Sequence, residues 1–116
     1  LCATPASAAL NLAGSDGSTQ IVTDYGTPVT LVAETTTRMP SASRIGIYES
    51  TSGSENAIAA CAVQLATCST TQNPPDSDLH TYVAHIERTY ALPDISPYLA
   101  TSNQATVQWD WHWMGR

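Results

Sequence analysis

The strongest constraint on this chain is how often its apolar runs are broken. Valine, isoleucine, leucine, tyrosine and alanine alternate with Thr, Ser and Gln in short stretches, and Gly, Pro, Asn or Ser closes almost every stretch. Alternation at period 2 is the signature of strands with one wet and one buried face. Closure at intervals of roughly ten residues is the rhythm of an all-β sandwich or barrel. Long helices need charged residues on their wet side, and only 12% of this chain is charged.

The pattern predicts strands over 8–13, 19–23, 28–35, 44–50, 57–63, 67–72, 79–88 and 105–113. Val29, Leu31 and Ala33 mark one inward stripe, Ile45 and Ile47 a second, and Tyr82, Ala84 and Ile86 a third. Pro28 can open its strand but could not sit in the middle of one. Residues 19–23 read as an edge strand. The alanines of 57–63 would also permit a short helical turn, but with 67–72 the segment reads better as one arm of a hairpin, and 92–104, with Pro93 and Pro97, reads as a long loop. The 116 residues therefore form one domain over 14–110. Residues 1–13 form a leader and first strand, and 111–116 a tail. Ala6-Ser7-Ala8 resembles a secretory cleavage site, which would place Cys2 in a removed segment; the other reading is an Ala/Ser-rich linker.

Of the three cysteines, Cys61 and Cys68 are close enough to close a short disulfide loop in an oxidising compartment. The alternative is a pair of buried thiols. The bridge implies a secreted or extracellular protein.

The most specific local signal is Asp78-Leu79-His80-Thr81-Tyr82-Val83-Ala84. It resembles the corner that opens strand F of immunoglobulin-like domains, with Asp78 and Tyr82 as the corner residues and Ala84 where the family has a cysteine. Ala84 cannot make the usual inter-sheet disulfide, and the strand over 44–50, standing for strand C of the family, offers Ile47 and Tyr48 rather than tryptophan. Pro-Val-Thr-Leu at 28–31, Ile-Gly-Ile-Tyr-Glu at 45–49 and Ala-Thr-Val-Gln-Trp at 105–109 extend the likeness over roughly residues 18–109. The chain looks most like the immunoglobulin-like domains of secreted bacterial, actinobacterial-type surface proteins. That resemblance implies an immunoglobulin-like β-sandwich of about seven strands.

A net charge of −6, with Arg38, Arg44, Arg88 and Arg116 scattered and no lysine, argues against nucleic acid and anionic lipid as partners. No run is apolar enough to insert in a membrane. The absence of lysine also removes Schiff-base chemistry and Lys–Asn crosslinks. His80 and His85 are five apart, so one strand sends them to opposite faces and a shared metal is not expected. Asp76 and Asp78, and Glu49 and Glu55, read as loop carboxylates rather than catalytic pairs. No serine sits in a nucleophile elbow. The sequence thus points to a non-enzymatic module without metal or cofactor.

The tryptophans are its best functional lead. Trp109, Trp111 and Trp113 share a face if the last strand continues. Exposed, Trp111 and Trp113 would stack on sugar rings or anchor a protein; otherwise Trp109 plugs the core and the other two pack at the sandwich end. Tyr90 and Tyr98, beside and in the long loop, are candidates for the same surface. The expectation is an extracellular module for adhesion, partner binding or spacing, with an unknown protein or glycan as partner. The alternative is a carbohydrate-binding module.

Overall fold

The computed structural model describes residues 10–111. The expected A-x-A remnant, Cys2 and Trp113 lie outside them. Among the described residues every regular element is a strand. In order these are Leu10–Gly14 (β1), Gln20–Asp24 (β2), Val29–Thr35 (β3), Ser43–Thr51 (β4), Ser54–Ala60 (β5), Thr67–Gln72 (β6), Leu79–Arg88 (β7), Tyr98–Thr101 (β8) and Ala105–Asp110 (β9).

Two sheets face each other, one ordered β1-β3-β6 and the other β2-β9-β7-β4-β5, with β8 beside the second half of β7. The first strand segment is shared between sheets: β1 pairs antiparallel with β3, and β2 crosses over to pair parallel with β9. This is an immunoglobulin-like arrangement, with β9-β7-β4 as its central sheet. Among the described residues there are nine strands rather than about seven, because the first strand is split and the Pro-rich 92–104 segment contains β8. β8 survives there because Pro97 precedes it, where no ladder donor is needed.

The three inward stripes meet as expected. Leu31, Ile47, Tyr82, Ala84 and Val107 are fully buried in one cluster. Ala84, where the resemblance would place a cysteine, simply packs there beside other buried apolar side chains. Trp109 is the largest fully buried side chain, and its Nε1–H donates to the Thr27 carbonyl at 2.8 Å. That bond meets the polar requirement that otherwise makes a buried indole costly.

The hairpin expected over 57–72 is not present. β5 pairs with β4 in the large sheet and β6 pairs with β3 in the small one, so the chain changes sheets between them. Alternation and spacing fit a hairpin and a crossover equally well. What decides is that β4 already offers β5 a two-residue turn, with Ser52 and Gly53 both at positive φ. Cys61 and Cys68 are joined as expected, with a Cα–Cα distance of 5.7 Å, but their disulfide bridges the two sheets.

Tyr82 is buried in β7, four residues after Asp78. Among the described residues its hydroxyl makes no hydrogen bond to the backbone upstream. Asp78 instead contributes backbone: its N–H donates to Asp76 Oδ1 at 3.1 Å and its carbonyl accepts the Trp109 N–H.

Candidate functional site

The residues singled out in the sequence fall at two ends of the sandwich. Trp109 is inside, and β9 stops at Asp110, so the period-2 row does not run on as strand. Trp111 is 59% exposed and its ring meets Tyr25 at 4.8 Å. Tyr25 is held there by backbone, its N–H donating to the Asp110 carbonyl at 2.8 Å. Tyr90 and Tyr98 belong to the opposite end, so no single surface gathers all the candidates.

That opposite end is built from three loops. Ser43 pairs with Arg88, Gly46 with Ala60 and Glu34 with Thr67, which brings the loops 36–42, 61–66 and 89–97 together. Gln64 N–H donates to the Ser43 carbonyl at 2.8 Å and Thr89 N–H to the Ala42 carbonyl at 2.9 Å, so both outer loops are tied to the central one. Met39 is buried beneath them. Yet Tyr90, Leu92 and Ile95 on one outer loop, and Val63 and Leu65 on the other, are exposed.

These loops are ordered into shape. Leu92 and Ile95 form a β-bridge across a Pro93-Asp94 turn. Arg88 donates to the Ser96 carbonyl at 2.5 Å. Ala42, Gln64 and Asp94, one in each loop, adopt left-handed backbone with φ of 55°, 65° and 60°. Such a residue costs about 1 kcal/mol or more and persists only where its surroundings over-determine it. Sequence reasoning found Tyr90 here but missed Leu92, Ile95, Val63 and Leu65. The available signal was large apolar residues interleaved with turn formers, where a loop has no core to fill.

Tyr98 lies beside this end, on the outer face of the large sheet. Its ring stacks on His85 at 3.8 Å, and Tyr48 stands edge-on to both. His85 bonds Glu55 at 2.7 Å and Thr101 at 3.0 Å. The Tyr48 hydroxyl donates to Glu87, which also pairs with Arg44 at 2.8 Å. Burial, reinforced by the bond to Glu87, pushes the Tyr48 pKa up, so its hydroxyl stays a donor. Glu87 fits because residue 46 is glycine: a Cβ there would lie 3.1 Å from the carboxylate carbon and both oxygens. Gly46→Ala is therefore expected to displace Glu87 and to lower stability by about 1–3 kcal/mol. Relief of glycine's backbone entropy offsets only roughly 0.5–1 kcal/mol of this. A urea unfolding midpoint at or above that of the parent would contradict the packing argument.

His80 sits at the Tyr25–Trp111 end, on the core side of β7, packed edge-on to Trp109 at 5.3 Å. Its Nδ1 meets Glu49 at 2.5 Å and its Nε2 meets Asp76 at 2.8 Å. Burial opposes a charge on the ring, but the bonds and charges of Asp76 and Glu49 outweigh it, and the pKa is raised above 6.5. The His80 bond, helped by the Asp78 amide, lowers the pKa of Asp76. The two carboxylates approach different ring nitrogens and cannot share one cation with it. Among the described residues no group of His, Cys, Asp and Glu is arranged to hold a metal.

No helix among the described residues is long and apolar enough to cross a membrane. No protein-family model matches the chain. No curated protein shows significant similarity to it.

Proposed function

We propose that the chain is an extracellular, non-catalytic immunoglobulin-like module that binds a protein partner through the loop end. One observation carries this reading: Tyr90, Leu92, Ile95, Val63 and Leu65 stay exposed on loops that hydrogen bonds hold in place. Ordered apolar side chains at a sandwich end lose little freedom on docking and gain by leaving water. The Cys61–Cys68 bridge fits an oxidising compartment. The likeness to bacterial surface domains points the same way.

The pair of Tyr25 and Trp111 favours a second reading. Two touching exposed rings offer a sugar's apolar C–H face a place to pack, which would make the chain a carbohydrate-binding module.

The readings separate in one experiment. The immobilised protein is presented with surface-protein extracts and with a glycan array. Alongside it go Leu65→Asp/Ile95→Asp and Trp111→Ala, each checked to unfold within about 0.5 kcal/mol of the parent. Protein capture lost at least tenfold in the loop-end variant alone is the expected result. Glycan binding abolished by Trp111→Ala, with protein capture indifferent to the loop-end change, would overturn it in favour of the sugar.

A further inference from the structure

The Glu49–His80–Asp76 contact lies at the end of the sandwich away from the proposed docking loops and is not used by that reading. Its geometry imposes a condition. Both ring nitrogens face carboxylate oxygens, at 2.5 and 2.8 Å. A neutral imidazole has one N–H, so it satisfies one carboxylate and turns a lone pair on the other. Only the doubly protonated ring bonds both.

The two carboxylates belong to different parts of the fold. Glu49 is on β4 in the large sheet, whereas Asp76 is in the loop 73–78 between β6 and β7. Among the described residues the other outward ties of that loop lie at its two ends: Asn73 donates to the Gly26 carbonyl at 3.3 Å, and the Ser77 and Asp78 carbonyls accept from the Gln108 side chain at 3.1 Å and the Trp109 backbone N–H at 3.3 Å. The His80 ring, by contrast, is mostly shielded from water, with 13% of its side chain exposed. Tyr82, beside it at 6.3 Å, remains protonated, since burial and the same two carboxylates push its pKa up. Among the described residues Glu49, Asp76 and Tyr82 are the titratable groups that face the ring, and Trp109 packs edge-on against it.

We infer that His80 is a proton-operated clasp, which fastens the 73–78 loop to β4 as an imidazolium and releases the loop when it becomes neutral. Asp76 is the partner that leaves, because it rides on a loop while Glu49 is fixed in a strand. The sign follows from the direction of each shift. The folded pKa of His80 is raised, so its contribution is complete below 6.5 and is lost as pH rises through the raised value. That of Asp76 is lowered, so its contribution is present above 3.8 and is lost as pH falls through the lowered value. The clasp is therefore shut in mild acid and opens toward alkaline pH.

Nuclear magnetic resonance of the 15N-labelled protein, titrated upward from about pH 5, tests this. The His80 ring and the amides of Ser77 and Asp78 are expected to shift with one shared midpoint. The order parameter of Ser77 should fall from about 0.85 toward about 0.6 across it. The Ala33 and Cys68 amides, in the small sheet, should not respond. His80→Gln, which donates one bond and cannot titrate, should hold the loop in its released state at every pH. Asp76→Asn should do the same while leaving the Glu49 contact and the core in place. Loop amides that ignore the His80 titration, or a loop transition that survives in His80→Gln, would overturn the clasp. So would an Asp76→Asn loop that stays ordered, which keeps the idea testable if His80→Gln does not fold.

Discussion

Trp109→Ala is expected to remove about 3–5 kcal/mol of folding stability, the largest single-residue effect in this chain. The indole is fully buried and is the bulkiest such side chain among the described residues. Its removal leaves a cavity between the sheets that backbone on both sides prevents from closing. It also leaves the Thr27 carbonyl, which accepts the indole N–H at 2.8 Å, without that donor. Domains of this size have about 5–15 kcal/mol in total, so the variant should populate unfolded chain under mild conditions. Trp111→Ala is the matched control: exposed and next to a strand end, it should change stability by about 0.5 kcal/mol or less. Equal losses in the two variants, read from urea unfolding, would mean that the last strand's tryptophans have been assigned the wrong roles.

Reducing the Cys61–Cys68 bridge is expected to cost about 2–3 kcal/mol, from the loop entropy returned to the unfolded chain. The closed loop is short, at a sequence separation of 7, so it lies toward the low end for disulfides. With a urea dependence of about 1–3 kcal/mol per molar, Cys61→Ser/Cys68→Ser should lower the midpoint by about 0.7–3 M. The bridge does more than a hairpin staple would, because it spans the step from β5 in one sheet to β6 in the other. It also closes the loop that presents Val63 and Leu65. Reduction should therefore loosen that docking loop before it unfolds the sandwich. Raised amide exchange at 62–66 in reduced protein that is still folded is the expected observation. Uniform exchange across the chain would show that the bridge has no local role.

The sequence discloses inward faces better than it discloses pairings. Ile45 and Ile47 in β4, or Tyr82, Ala84 and Ile86 in β7, reveal their buried side because period 2 is a local property of the backbone. The sheet to which a strand belongs is not local, so 57–72 read as a hairpin when it is a crossover. β8 was hidden because Pro93 and Pro97 dominate its surroundings, although neither lies within it. The opposite facing of His80 and His85 was legible from their spacing. Their partners were not: Glu49 is 31 positions from His80, and Glu55 is 30 from His85. The loop end was visible only through Tyr90, since the exposure of Leu92 and Ile95 depends on which other loops stand beside them.

The parallel pairing of β2 with β9 bears on how the domain carries tension. Five consecutive residue pairs, Gln20 with Thr106 through Asp24 with Asp110, join β2, the second part of the split first strand, to β9. A pull on the chain before β2 and after β9 acts along both strands in opposite senses. It slides the ladder lengthwise and stretches its hydrogen bonds together, instead of peeling them apart one at a time. A domain wired in this way yields at a higher force than one whose first and last strands run antiparallel and unzip from a shared end.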